Sequence, residues 1–435
     1  MLLPPDLREW VPADHLVHFV IDAVEQLDVS AARVNERGSG SEQYPPGMML
    51  ALLVYSYATG VFASRRIEQA TFENVAVRLL CADTHPDHDT ICAFRRENRA
   101  LLAGSFAQVL ELAARCGQLQ IGDITVAVDG TKVLANASRH AAVSHARAGE
   151  QLRQVELEIE QLLAKAEAAD ATPLRDGLTI GGELARRQER KARLARARAE
   201  IEARTYAKAQ SERAARHSDQ PGPPPPAPPK ATDQYNFTDP DSRIMPAGGP
   251  GRFEQAYNAQ AAVEVNSRLI VGQRVTQATN DQEQLVPTVR AIMPAVGGVK
   301  EVLVDSGFVS EAAIRQLERN EQDQPTGTTV LAAVNRERHG RTVAQLERRA
   351  DPTAPPAQAP WLERMAYRTA TAAGRARYRL RQQTVEPVFG ILKEALGFRR
   401  FLLRGLENVS LEWTLVTLAY NFKRLHTLGT KLRAA

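Results

Sequence analysis

ITVAVDGTKVLANAS, residues 124–138, is the stretch on which the reading of this chain turns. Ile124, Val126 and Val128 alternate with Thr125, Ala127 and Asp129, the two-residue period of a buried strand. Aspartate is depleted in strand interiors, so Asp129 needs a reason. One reason is turn chemistry ahead of Gly130; the other is a functional carboxylate partway along the strand. Upstream of this point the sequence has a helical texture, and downstream strands recur.

Residues 1–120 read as an all-helical domain. Leu16, Phe19, Val20 and Ala23 make a helical stripe, and Pro45-Pro46 precede an apolar helix through Met49, Leu52, Leu53 and Tyr57. Asp89 or Thr90 can cap a further helix carrying Phe94, Arg95, Arg96 and Arg99. Short helices ending in an arginine-rich one suit a helix-turn-helix-like DNA-binding module, as they suit any small helical bundle. Cys81, His85, His88 and Cys92 are spaced C-x3-H-x2-H-x3-C, a possible tetrahedral set. That spacing matches no common finger, Pro86 constrains the loop, and both cysteines fall on apolar stripes, so no zinc is expected.

After the strand, residues 147–230 change material. Leu152, Val155, Ile159, Leu162 and Ala166 step at 3-4-3-4, and a break with Gly177, Gly181 and Gly182 leads to a charged helix through Leu194, Ala197 and Ile201. This is an antiparallel helical hairpin, followed by the stiff linker PGPPPPAPPK (221–230). The stretch reads as an insertion into a domain made of 121–146 and 231–435. In that domain AYNAQAAVEVNSRLIVGQRVT (256–276) holds two β-rich runs about an Asn266-Ser267 turn. Asp281 is expected to cap a helix through Leu285, Val289 and Ile292. KEVLVDSGF (300–308) is a strand ending on Asp305, and GTTVLAAVNR (327–336) is another. Residues 337–375 look poorly ordered, and a last amphipathic helix runs from about Leu406 to Leu428. The order predicts an α/β fold: a mixed sheet flanked by helices.

Between these lies YRLRQQTVEPVFGILKEALGFRRFLLR (378–404), where Glu386 stands among Arg379, Arg381, Lys393, Arg399, Arg400 and Arg404. On a helix Glu386 and Lys393 share a face, and a carboxylate among cations can hold a divalent metal beside a nucleic-acid backbone. The alternative is that Thr384 caps a helix with Pro387 in its first turn, so that Glu386 complements the helix dipole. Partner carboxylates favour the first reading. Asp129 and Asp305 can lie on adjacent strands with Glu386 reaching over from a helix. Three such carboxylates bind two divalent ions, magnesium or manganese given the all-oxygen ligand set.

The remaining bounds agree with a polyanion partner. Net charge is +4 over 435 residues, but from Trp361 onward fourteen Lys/Arg face five Glu and no Asp, giving +9 there and −5 elsewhere. No apolar run reaches membrane-spanning length, the N-terminus lacks the features of a secretion signal, and three cysteines are too few for a disulfide framework. A bacterial cytoplasmic protein associated with the nucleoid is expected.

On PDHDTICAFRREN (86–98), VAVDGTKVLANAS (126–138), TDPDSRIM (238–245), AYNAQAAV (256–263), VLVDSGF (302–308) and VEPVFGILKEALGFRRFLLRG (385–405), the chain resembles the DDE transposases of bacterial insertion sequences. The likeness is closest to those with an InsH-type N-terminal domain. The resemblance implies a ribonuclease-H-like fold with Asp129, Asp305 and Glu386 as the catalytic, metal-binding triad. A family signature, Tyr-x2-Arg-x3-Glu-x6-Lys, is met in part: Tyr378, Arg381, Glu386 and Lys393 are present, but four residues separate Arg381 from Glu386. Ala256-Tyr257-Asn258 stands for the usual Gly-Tyr-Asn, and Ser306-Gly307-Phe308 for Ala-Gly-Tyr.

The implied function is binding of inverted-repeat ends, metal-dependent cleavage and strand transfer into target DNA by a homodimer, without a small-molecule cofactor or membrane. Lys132, Asn258, Tyr378, Arg381, Lys393, Arg399, Arg400 and Arg404 are expected at the DNA, with Arg95, Arg96 and Arg99 reading end sequence. A metal nuclease that hydrolyses without joining, or a silent DNA-binding remnant, are the rival readings.

Overall fold

The computed structural model describes residues 6–33, 43–168, 179–215, 228–247, 249, 251–334, 350–356 and 358–432. The expected break at Gly177 and most of the proline-rich linker lie outside the described residues. The chain forms two compact units, one of Met1–Leu134 with Tyr257–Ala435, the other Ala135–Ala256.

The first unit carries the sheet. Its strands are β1 (Ile124–Leu134), β5 (Phe253–Glu264, entering from the second unit), β6 (Ile270–Thr276), β7 (Val299–Val304) and β8 (Thr329–Ala332). β5 neighbours β1, β1 neighbours β7 and β7 neighbours β8, while β6 pairs with β5. The β1–β7 and β7–β8 pairs are parallel and β5–β6 is an antiparallel hairpin, so the sheet is mixed. Val126, Ala127 and Val128 are all buried, as are Val302, Leu303 and Val304. Apolar runs without alternation belong to strands covered on both faces, which is where the alternation read from the sequence gives way. This is the ribonuclease-H-like arrangement.

Helices α1 (Leu16–Glu25), α2 (Pro46–Ala58), α3 (Ser64–Glu73), α4 (Val75–Leu80), α5 (His88–Glu97) and α6 (Arg99–Arg115) precede the sheet in the same unit. α2 is buried on every side from Met49 to Ala58, the mark of a core helix. It packs against the last helix, which also covers α6 and β6 and runs Leu406–Thr427. That helix is not amphipathic, as expected from sequence, but buried nearly all round. It spends its polar groups on the sheet: Asn421 accepts from Ile270 N at 2.9 Å and donates to Ile270 O at 2.8 Å, and Trp413 Nε1 donates to Gln260 O at 3.1 Å. The stretch read as poorly ordered holds a helix at Trp361–Ala370 and the start of another, Ala372–Gly390.

In the second unit, β2 (Ala142–Ser144) pairs antiparallel with β3 (Gln234–Asn236), and β4 (Arg243–Pro246) pairs with the first residues of β5. Its helices α7 (His145–Ala168) and α8 (Ile180–Ala215) form a hairpin with a core of Val143, Ala148, Val155, Leu194, Ala197, Ile201 and Tyr235. No helix among the described residues is long and apolar enough to cross a membrane.

The remaining helices of the first unit are α9 (Leu285–Arg290), α10 (Glu311–Glu318), α11 (Trp361–Ala370), α12 (Ala372–Gly390) and α13 (Leu406–Thr427).

Candidate active site

Parallel pairing of β1 with β7 sets Val126 against Val302 and Ala127 against Leu303. Carried two residues further, the same register puts Asp129 level with Asp305, just past the end of β7. Asp129 therefore sits partway along β1, where its parallel pairing with β7 stops, and Asp305 just past the end of β7. Asp129 Oδ1 accepts from Gly130 N at 2.8 Å, and Asp305 Oδ1 from Gly307 N at 2.8 Å. These bonds leave the second oxygen of each acid for other partners.

The third acid comes from α12. Thr371, not Thr384, caps this helix: its hydroxyl accepts from Gly374 N at 3.0 Å. Thr384 instead donates to Leu380 O at 2.7 Å, and Pro387 lies inside the helix. Glu386 thus stands in the last turns, where the dipole disfavours an anion, so dipole complementation does not account for it. Pro387 cannot donate to the carbonyl one turn back, and a wide π-helical turn, Ile391–Ala395, follows Gly390. Lys393 sits in that turn.

Arg381, on the buried face of α12 with Val385 and Val388, joins the three acids. Its Nη2 lies 2.8 Å from Asp129 Oδ2 and 3.7 Å from Asp305 Oδ2, and its Nη1 lies 3.4 Å from Glu386 Oε1. One guanidinium therefore collects carboxylates from β1, the end of β7 and α12. Among the described residues no three acidic, histidine or cysteine side chains are gathered closely enough to share one ion; at these three acids each carboxylate faces the Arg381 guanidinium. The donor set still fits a hard divalent cation: every oxygen is a carboxylate's, and a cation already holds the centre. Burial pushes the Asp129 carboxyl up to about 6, opposed by Arg381 and reinforced by Asp305 and Asp281. Tyr378, one turn before Arg381, is raised by burial and hydrogen-bonds to the backbone of Ala333.

Behind Asp129 lies a polar cluster that the sequence reading missed. Asp281 does not cap α9, whose N-terminal residue Gln284 makes no side-chain cap. Its Oδ1 accepts from Asn258 Nδ2 at 2.7 Å and Gln260 Nε2 at 2.6 Å, and lies 3.5 Å from Lys132 Nζ. The cluster presses on Gly130, where a Cβ would meet Gln260 Nε2 at 2.2 Å and Asp281 Oδ1 at 2.5 Å, so only glycine fits. Asn258, expected at the DNA, is wholly buried and holds Asp281 instead. Burial lowers the pKa of Lys132 and of Lys393, and Lys393 Nζ donates to Lys132 O at 2.9 Å.

The arginines divide. Arg95, expected to read base edges, is 3% exposed and cannot. Its Nη1 donates to Tyr57 OH at 2.7 Å and to Phe62 O at 3.3 Å, beside buried Glu412. Glu412, pushed up to about 7 by burial, accepts from Leu402 N and Leu403 N, each at 3.0 Å. Arg95 is thus a core arginine bridging α2, α5 and α13. Arg96 is exposed beside Glu97, and Arg99 is 2.6 Å from Glu407. Arg399 pairs with Glu394. The backbone of 399–401 runs beside the end of β1: Leu134 N donates to Arg399 O at 3.1 Å and Phe401 N to Leu134 O at 2.8 Å. Arg404 O accepts from Asn408 Nδ2 at 3.0 Å.

Two family models match the chain. One, described as "Transposase DDE domain", covers residues 232–422, including Asp305 and Glu386; the other, "Transposase domain (DUF772)", covers 5–97. The chain belongs to the DDE transposases. No curated protein and no solved structure matches it significantly. The transposase is an enzyme that binds DNA, and its family implies dependence on a divalent metal, typically magnesium. The match to the DDE domain begins after Asp129, so the first acid is joined to the other two by the geometry of β1, β7 and Arg381.

Proposed function

We propose that the transposase binds the terminal inverted repeats of a bacterial insertion sequence, cuts DNA strands there and joins the freed 3′ ends to target DNA. The observation that carries this reading is the meeting of Asp129, Asp305 and Glu386 on one guanidinium where the parallel pairing of β1 with β7 stops. Asp129, Asp305 and Glu386 would hold two magnesium or manganese ions. When bound, the ions supply an activated nucleophile and neutralise the leaving oxygen of a phosphodiester. In cleavage, water displaces a 3′-oxygen from phosphorus. In joining, that 3′-hydroxyl attacks a target phosphorus and the target's own 3′-oxygen leaves.

The basic side chains orient DNA for these displacements. Lys132 and Lys393 flank the acids from β1 and the turn after α12, and Arg399, Arg400 and Arg404 follow in the next segment, suited to phosphates. Arg96 and Arg99 remain for reading the ends. Residues 1–120 act in end recognition and 147–230 are an insertion into the catalytic domain, 121–146 with 231–435. An InsH-type N-terminal domain fits this division. Two ends need two sites, so a homodimer assembles on DNA, in the cytoplasm with the nucleoid and without any organic cofactor.

The test is a strand-transfer assay with oligonucleotides bearing the repeats that flank the gene. Joined products that vanish with Asp129→Asn, Asp305→Asn or Glu386→Gln are expected. Cleavage without joining would favour a nuclease, and joining at the wild-type rate in those variants would overturn the triad.

A further inference from the structure

The arginine among the acids poses a problem for metal binding. Its guanidinium, 8% exposed, gives Asp129 and Asp305 one nitrogen and Glu386 the other, while Nε has no partner. A divalent ion bound by these carboxylates would sit about 2.0–2.6 Å from their oxygens. A guanidinium in contact with all three at 2.8–3.7 Å takes up the same space with the same sign of charge. The two cations exclude each other.

We propose that Arg381 is a resident counter-ion that occupies the metal position of the DNA-free transposase and must withdraw for metal to bind. The inference rests on the triad reading. With three acids and one arginine, the cluster keeps a charge near −2 when Arg381 is in and −3 when it is out. The acids thus stay gathered without metal but gain most from a divalent ion once the guanidinium leaves. Arg381 then needs another anion. A DNA phosphate is the fitting one, since the guanidinium fork matches phosphate oxygens and is weakly hydrated. DNA and metal therefore bind with positive coupling, each raising the affinity for the other by the same factor. The device keeps the site poor in metal until DNA is present. Arg377, one turn earlier, is already paired with Glu301 at 2.7 Å and stands outside the cluster.

The experiment is calorimetric titration of the full chain, free of DNA, with Mn2+ or Mg2+. Arg381→Ala and Arg381→Gln should bind the ion about tenfold or more tightly than wild type, while Arg377→Ala, which removes the same charge from the same helix, should not. Equal or weaker binding by the Arg381 variants would overturn the proposal. Should those variants fold poorly in chelator, wild type decides: a short random duplex should tighten Mn2+ binding about tenfold after subtraction of ions bound by the duplex alone. No tightening would overturn it equally. Asp129→Asn and Glu386→Gln separate the readings. Metal binding undiminished in both would sink the triad itself. Binding lost in both, but not tightened in the Arg381 variants, sinks only the counter-ion.

Discussion

Burial moves the Asp129 carboxyl up to about 6, with Arg381 opposing the rise and Asp305 adding to it. An acid whose folded pKa lies above its unfolded value stabilises the fold fully below the unfolded pKa, and that contribution is lost as pH rises through the folded one. For Asp129 the window runs from about pH 4 to about pH 6, and the loss is about 3 kcal/mol. Asp129→Asn, measured by urea unfolding in chelator, should remove this part of the pH dependence while abolishing cleavage. An unchanged slope across that window would show that the carboxyl is not burdened as argued. Its neighbour Gly130 supports the same geometry from below. Gly130→Ala must displace Asn258, Gln260 and Asp281, and should cost about 1–3 kcal/mol in stability along with most of the activity. Unfolding curves identical to wild type would refute the crowding.

Glu412 shows how an element is tied down. The strap at Leu402–Leu403 is fastened to α13 by two N–H groups on one carboxylate, itself facing Arg95 and Tyr57. Arg95→Ala leaves that carboxylate buried without its cation and should cost about 3–5 kcal/mol, seen as a lower midpoint in chemical denaturation. Discrimination between repeat and random DNA should not change apart from the loss of folded protein. A selective loss of repeat binding with stability intact would restore the base-reading role.

The contrast explains what sequence could and could not reveal at this scale. The two strand acids were legible, because Val126–Val128 and Val302–Val304 are apolar runs each followed by a carboxylate, although β1 continues past Asp129 to Leu134. The direction in which Arg95 points was not, since Tyr57 lies 38 positions away and Glu412 far beyond. Asp281 ahead of Leu285 carries the local signature of a helix cap, and only the amides of β5 draw it elsewhere. Pro387 likewise suggested a helix start, whereas tertiary packing of Val385, Val388 and Phe389 extends the helix through it.

Across the whole molecule, the surplus of positive charge after Trp361 is smaller in effect than in count. Arg368 is engaged by Glu318, Arg377 by Glu301 and Arg381 by the acids. Formal charge along the sequence did not reveal this, because the partners come from distant elements. Arg399, whose ion pair with Glu394 lies at the exposed surface and whose Nε donates to Lys393 O at 3.3 Å, is the better candidate for phosphate. Arg399→Ala should weaken binding to repeat and random duplexes alike and lower the log–log salt slope by roughly one unit, whereas Arg368→Ala should leave the slope unchanged. Equal changes in slope for both variants, in titrations at several salt concentrations, would contradict the division.

The ion pair between Asp129 and Arg381 spans 252 positions of sequence. A ribosome adding roughly 5–20 residues per second takes on the order of 13–50 s to travel that distance. Throughout that interval the growing chain has its first acid, and later Asp305, with no helix to complete the site. A stop codon or frameshift between Leu134 and Arg381 yields a product with the N-terminal helices and strand β1 but no Glu386. On the proposed triad, cutting should be confined to chains whose translation has passed that residue.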